Sequence, residues 1–318
     1  MPNNSNSTKA AISVVIPLYN EEKSLAELHN RITLSLQSLS SNYELIFVDD
    51  GSTDNSFSVI RDLHKRDDRV KAIRFRKNFG KASALSAGFK EAEGITIITI
   101  DADLQDLPEE IPILIKKMDE GYDLISGWKF KRKDPLLRRI ASRLFNLVTS
   151  FYTGVKIHDF NCGLKCYRRE VIEELDLYGE LHRYIPAIAN WKGFKVGEAK
   201  INHQPRIHGK SKFGSERYLR GFFDLLTIIM LTKYPEKPLH FFGLLGTILS
   251  LAGLAINAYM ALLRLSGKWI SNRPLLLLGI LLLILGIQFI FFGLMGELIV
   301  FSSQKDISYT VKEKLDSR

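Results

Sequence analysis

The sequence predicts an α/β domain built on a mostly parallel sheet, followed by two membrane-spanning helices. Short β-branched and apolar runs alternate with stretches of helical periodicity, at the interval of a strand, loop, helix, strand unit. Four of these runs end in polar loops, which a parallel sheet delivers to one edge. Finally, Leu239 to Leu263 and Pro274 to Gly296 contain no Asp, Glu, Lys or Arg, and each exceeds the ~20 residues needed to cross a bilayer.

The first strand is Ile12 to Ile16, stopped by Pro17, and the loop Leu18 to Glu22 leads into a helix with Leu25, Leu28, Ile32 and Leu36 on one face. The second strand, Glu44 to Val48, runs into Asp49-Asp50-Gly51-Ser52-Thr53-Asp54. The third, Val70 to Phe75, passes through Arg76 to Lys81 into a helix from about Ala82 to Ala92. The fourth, Ile95 to Ile100, ends in Asp101, Asp103 and Asp106.

That last turn is where chemistry is most concentrated. Positions two apart in an extended chain face one side, so Asp101 and Asp103 converge at the carboxyl edge of the sheet. Two close carboxylates repel unless a cation lies between them, and hard oxygen ligands suit magnesium or manganese better than zinc. The alternative is an Asx-rich turn closing the strand. Asp49 and Asp50 can accept hydrogen bonds from a ribose or base, with Gly51 allowing close approach, although Ser52 to Asp54 is also a good helix start. Asn78 to Lys81 meets a helix N-terminus, which favours anions. No G-x-G-x-x-G or G-x-x-x-x-G-K-[ST] occurs, which removes the main support for a dehydrogenase or a P-loop ATPase.

A formal charge of +9 and a pI of about 9.3 suit nucleic acid, anionic lipid or phosphorylated substrates. The two cysteines, Cys162 and Cys166, make neither a zinc site nor a disulfide framework.

The motifs VVIPLYNEE, FVDDGSTDNS, RKNFGKASAL and DADLQDLPE, in this order, resemble glycosyltransferase family 2 with its A-type nucleotide-sugar fold. DFNCGLKCYRRE and RIHGKSKFG are similar to the polyprenol-phosphate glycosyltransferases of the dolichol-phosphate mannose synthase group, in their membrane-anchored bacterial form. The Q-x-x-R-W motif of processive polysaccharide synthases is missing.

The resemblance implies that Pro17, Tyr19, Glu21 and Asp50 hold the nucleoside, with Lys81 and Asp101 also on the nucleotide sugar. It implies that Asp101, Asp103 and Gln105 organise Mg²⁺ or Mn²⁺ at the diphosphate, with Asp106 a helix cap before Pro108. Arg138 and Ser142 match positions that grip the lipid phosphate, with help from Lys129 or Arg132, while Arg206, Ser211 and Lys212 belong to a loop closing over phosphates. Asp103 and Asp159 are the catalytic candidates, Asp159 orienting the nucleophile or else serving as a loop cap. The expected reaction is inverting transfer of a hexose to polyprenyl phosphate, undecaprenyl phosphate in a bacterium. The expected donor is a UDP-sugar rather than a GDP-sugar, with UDP-glucose as family precedent. A glycosyltransferase acting on another lipid hydroxyl and a non-catalytic glycolipid-recruiting subunit are the alternatives.

The expected organisation is a disordered terminus (1–10), a catalytic domain (11–215), an interfacial helix and linker (216–238), two membrane helices (239–263 and 274–298) and a tail (302–318). Pro135 to Tyr152 carries Leu137, Ile140, Ala141, Leu144, Val148 and Phe151 on one face, either lying on a membrane or packed on the sheet. Glycines along both apolar runs permit close helix contact within one chain or in a homo-oligomer, and Glu297 reads as a solvated carboxylate near a helix end. The polar start MPNNSNSTKAA lacks a signal peptide's apolar core, so the catalytic domain and tail are expected on the cytosolic side of the inner membrane. No nucleic-acid partner is expected.

Overall fold

The computed structural model describes residues 10–39, 42–130, 146–147, 149–175, 177, 181–204, 227, 230, 237–267, 269 and 274–303. The chain divides into two compact units, one running to Ile228 and the other holding the two long helices.

The first unit is a seven-stranded sheet between two layers of helices. Its elements are β1 (Ile12–Leu18), α1 (Leu25–Gln37), β2 (Tyr43–Asp49), α2 (Ser56–Arg66), β3 (Val70–Arg74), α3 (Lys81–Glu91) and β4 (Thr96–Thr99). They continue through α4 (Ile111–Met118), β5 (Leu124–Lys129), β6 (Lys165–Arg168), α5 (Arg169–Glu173), α6 (Ile185–Trp191) and β7 (Val196–Ile201). The strand order is β3-β2-β1-β4-β6-β5-β7. β6 alone runs antiparallel to its neighbours, so the other six strands share one direction and the mostly parallel sheet is as expected.

Period-two alternation sorts each strand between the two layers. Val14 and Ile16 of β1 join Leu45, Phe47 and Ile98 under α1, α2 and α4. Val15, Ile46, Val48 and Ile97 face the opposite layer with α3, α5 and α6. α1 buries Leu25, Leu28, Ile32 and Leu36 completely, the helical stripe read from spacing. Several boundaries shift by a residue or two, β2 among them, which runs Tyr43–Asp49. β1 continues through Pro17 to Leu18, β3 stops at Arg74, and Ile95 is exposed ahead of β4.

At the amino edge of the sheet a buried polar staple joins β1, β2 and β3. Ser13 Oγ donates to Glu44 Oε1 at 2.5 Å, the Glu93 amide donates to the same oxygen at 2.7 Å, and Lys71 Nζ lies 2.8 Å from Oε2. The opposite, carboxyl edge collects the polar loops.

The second unit is a pair of helices, α7 (Pro238–Leu265) and α8 (Pro274–Ser303), both long and apolar enough to cross a membrane. They pack through small residues. A Cβ on Gly246 would come within 2.6 Å of Gly286 O, and one on Gly253 within 2.7 Å of Gly279 O, so the glycines meet one another inside the chain. Glu297 Oε2 accepts the Leu239 amide at 3.2 Å, satisfying a first-turn donor of α7 instead of standing solvated. Leu, Ile and Phe side chains cover the outside of the pair.

Candidate active site

Four loops meet at the carboxyl edge. The one after β1 is fastened to the one after β2 by paired hydrogen bonds. Asn20, at φ +55°, donates its amide to Ser52 Oγ at 2.9 Å and accepts the Thr53 amide on Oδ1 at 2.8 Å. The Glu21 amide donates to Ser56 Oγ at 2.9 Å, and Glu22 Oε2 accepts the Asn55 amide at 3.0 Å. Ser52, Thr53 and Asp54 therefore brace this loop, and α2 begins only at Ser56. Tyr19 and Glu21 are half-buried at the cleft, whereas Pro17 is buried within β1 beside Val48.

Asp50 is 4% exposed. Its Oδ1 accepts the Phe79 amide at 2.7 Å and its Oδ2 the Gly80 amide at 2.9 Å. Burial pushes its pKa up, the two amides hold it back, and neighbouring Asp49 adds to the rise. The group expected on the nucleoside thus holds the loop before α3. Gly51 admits the backbone of Lys77, 2.5 Å from where a Cβ would sit, so the close approach it allows is by the protein's own chain.

The turn after β4 is built around a left-handed residue. Leu104 has φ +59° and is fully buried, a conformation costing about 1–2 kcal/mol that its packing offsets. Burial alternates along this turn, so Asp101, Asp103 and Gln105 are half-buried while Ala102, Leu104 and Asp106 are buried. Asp103 Oδ1 accepts the Gln105 amide at 3.2 Å, and Gln105 O accepts the Gln204 amide at 3.1 Å, bolting the turn to the segment after β7. Asp106 is not a helix cap. It is buried, bridges to His203 and lies 2.8 Å from Lys129 Nζ, while the following turn, Pro108–Glu110, has no side-chain cap. This pairing also engages Lys129, expected near lipid phosphate, inside the domain.

Asp101 is the hinge of the charge arrangement. Its side chain, 31% exposed, is ion-paired to Lys81, the first residue of α3. Burial alone would push its pKa up, but the ammonium of Lys81, with Lys129 and Lys165 farther off, holds it at about 2. Behind it stands Gly163, where a Cβ would lie 2.4 Å from the carboxyl carbon. Lys165 of β6 is buried and donates to the Cys162 carbonyl; burial lowers its pKa, against the pull of the Cys162 thiol, Asp159 and Asp101.

Asp159 is 2% exposed, and its Oδ1 accepts the Asn161 amide at 3.1 Å, a loop-cap contact. Three contributors were not foreseen in the sequence: Gly163, Lys165 and His182. His182 comes from the short turn Leu181–Tyr184, and burial, then Lys81, Arg183 and Lys165, push its pKa well below the ordinary value, leaving the imidazole neutral. No spacing rule marks it. Arg132, Arg138, Ser142, Arg206, Ser211 and Lys212 lie outside the described residues, as does most of the expected 135–152 helix. At its end Phe151 is 80% exposed, with Leu147 and Tyr152 also in the open, while Asn146 and Thr149 are buried.

The donor set suits a hard divalent cation: Asp101 and Asp103 are half-buried carboxylates two residues apart on one turn, and Gly163 lies close against Asp101. Among the described residues no third His, Cys, Asp or Glu joins them, which is the arrangement of a cation completed by substrate phosphates and water.

A family model described as glycosyl transferase family 2 matches residues 13–176. The chain is 36% identical over 319 residues to the dodecaprenyl-phosphate galacturonate synthase of Rhizobium johnstonii, covering 96% of this chain and 94% of that protein. It is 38% identical over 289 residues to the undecaprenyl-phosphate 4-deoxy-4-formamido-L-arabinose transferase of Pseudomonas paraeruginosa, covering 90% and 84%. Among solved structures, glucosyl-3-phosphoglycerate synthase from Mycobacterium tuberculosis, with Mn²⁺, UDP-glucose and phosphoglyceric acid, aligns at TM-score 0.55 and 17% identity over 70% of this chain and 80% of that one. A mannosyltransferase from Pyrobaculum calidifontis, with GDP-mannose and Mn²⁺, aligns at TM-score 0.52 and 17% identity over 71% and 64%. At these identities the structures establish the fold.

Proposed function

The chain belongs to glycosyltransferase family 2, and on that premise we propose that it transfers a sugar from a nucleotide sugar to the phosphate of a membrane polyprenyl phosphate. The observation that carries the reading is the turn that presents Asp101 and Asp103 beside Lys81 at the carboxyl edge of the sheet. Two relatives named as polyprenyl-phosphate sugar enzymes, similar over at least 90% of the chain, support the acceptor.

Asp101 and Asp103, with Gln105 beside them, would hold Mg²⁺ or Mn²⁺, and the bound cation supplies charge neutralisation for the leaving nucleoside diphosphate. Lys81, at the anion-favouring end of α3, adds a positive charge. The acceptor phosphate, with a second pKa near ~6, is already an oxygen nucleophile at neutral pH. Its attack on the anomeric carbon expels the diphosphate and inverts configuration, with positioning supplying much of the rate. The buried Asp159 fits this chemistry, because no strong general base is required.

The apolar pair α7 and α8 supports an inner-membrane location, with the catalytic unit on the cytosolic side where nucleotide sugars are made. The organisation expected from sequence, with a catalytic domain at 11–215 and membrane helices at 239–263 and 274–298, belongs to the same proposal. The homo-oligomer does not gain support from the glycine faces, which are used within the chain. UDP is proposed over GDP as carrier. UDP-glucose remains the first donor to test, alongside the sugars in the relatives' names, galacturonate and 4-deoxy-4-formamido-L-arabinose.

The test is transfer from a panel of radiolabelled UDP- and GDP-sugars to undecaprenyl phosphate by purified protein with Mn²⁺. A mild-acid-labile lipid product that disappears with Asp103→Asn is expected. Nucleotide binding with no lipid product from any donor would point to a different acceptor.

A further inference from the structure

Three lysines countercharge Asp101. Lys81 is ion-paired to it, and Lys129 and Lys165 act on it from within the domain. Among the described residues no group of three or more His, Cys, Asp or Glu could hold a cation, and Asp103 is the carboxylate two residues along the same turn. A divalent ion arriving alone must therefore displace Lys81 and remain in a field of fixed positive charge, with two carboxylates to offset it. A diphosphate changes this balance. It brings its own negative charge, and Lys81 stands where it can follow: at the first position of the eleven-residue helix α3, one-third exposed, on a flexible four-carbon stem.

We propose that Lys81 is an exchange cation: it neutralises Asp101 in the free protein and moves to the donor's diphosphate when the divalent ion takes its place. Metal and nucleotide then bind as one coupled event. The protein avoids holding a loose metal ion in a bare carboxylate site, and it avoids binding the nucleotide unproductively without metal. The inference rests on the nucleotide-sugar reading above and deepens it.

The test measures Mn²⁺ binding by its electron paramagnetic resonance signal in full-length protein in detergent, with and without UDP, for wild type, Lys81→Gln and Lys81→Arg. Wild type should bind Mn²⁺ poorly alone and much better with UDP. Lys81→Gln should bind Mn²⁺ alone about tenfold more tightly, because the competing ammonium is gone. The factor by which UDP tightens Mn²⁺ should shrink by about the same amount, and linkage requires the reciprocal gain of UDP affinity from Mn²⁺ to shrink equally. Lys81→Arg, which keeps the charge, should stay near wild type. If Lys81→Gln leaves Mn²⁺ binding alone unchanged or weaker, or leaves the coupling intact, the exchange role is wrong. Wild-type protein that binds neither Mn²⁺ nor UDP even together would overturn the nucleotide-sugar reading and this inference with it, so the two failures look different.

Discussion

Lys129 Nζ lies 2.8 Å from Asp106 Oδ1, and the two form an ion pair almost closed to solvent between β5 and the turn after β4. Removing one partner strands the other charge in a dry site. Lys129→Met should destabilise the catalytic unit by about 3–5 kcal/mol, while Lys129→Met combined with Asp106→Asn should recover a large part of that loss. Thermal unfolding of the two variants checks this. Equal melting temperatures for the single and double variants would show that the pair is not coupled.

Gly163 sets the position of Asp101. A methyl group there would lie 2.4 Å from the Asp101 carboxyl carbon, so Gly163→Ala must push the carboxylate toward the cleft. Since a misplacement of about 1 Å can cost roughly 100-fold, kcat/KM should fall by at least ~10-fold with melting temperature little changed. A variant as active as wild type would mean that the carboxylate position is not critical.

Asn20 ties the two donor-side loops together through Thr53 and Ser52. Asn20→Ala removes the side-chain half of the clamp, the bond from the Thr53 amide, keeps the backbone bond to Ser52, and leaves alanine in a left-handed conformation. KM for the nucleotide sugar should rise several-fold while kcat changes less, because the clamp shapes the donor pocket and not the reacting atoms. Steady-state kinetics at saturating acceptor separate the two constants.

Acid stability should report on the staple at the other end of the sheet. Burial tends to raise the pKa of Glu44, but hydrogen bonds from Lys71, Ser13 and the Glu93 amide bring it below the ordinary value. A depressed folded pKa contributes stability that is fully present above the unfolded value, ~4.3, and is lost as pH falls through the lower folded value. Unfolding midpoints should therefore hold between pH 5 and 7 and drop below about pH 4. Glu44→Gln should lower the neutral midpoint and flatten that drop.

In the helical pair, Gly253→Leu drives a side chain into Gly279 O and Leu283 N, both 2.7 Å from the new Cβ. The variant should lose the close crossing and show faster proteolysis of the linker in membranes, whereas Leu254→Ala on the outer face should not.

The strands and the α1 stripe were legible because periodicity records which face is buried, and Val14, Val15 and Ile16 sort into layers as alternation requires. Asp101 and Asp103 were legible because carboxylates ending an apolar strand are unusual. Asp106 was recognised as important but read as a helix cap, whereas it pairs with Lys129; that pairing, like the Phe79 and Gly80 amides held by Asp50, joins residues distant in sequence. Gly163 and His182 could not be found by spacing, because their roles depend on the reversed strand β6 and on where the turn at Leu181–Tyr184 packs.

That reversed strand has a wider consequence. β5 leaves the sheet at the carboxyl edge, and β6, pointing the other way, begins there. The chain thus leaves the carboxyl edge at the end of β5 and is back at it where β6 begins, with the order of β1 to β4 untouched. Such an excursion can be lengthened, shortened or exchanged while β1 to β4 stay in register. The topology makes the connection from β5 to β6 interchangeable without rebuilding the half of the sheet that carries Asp101.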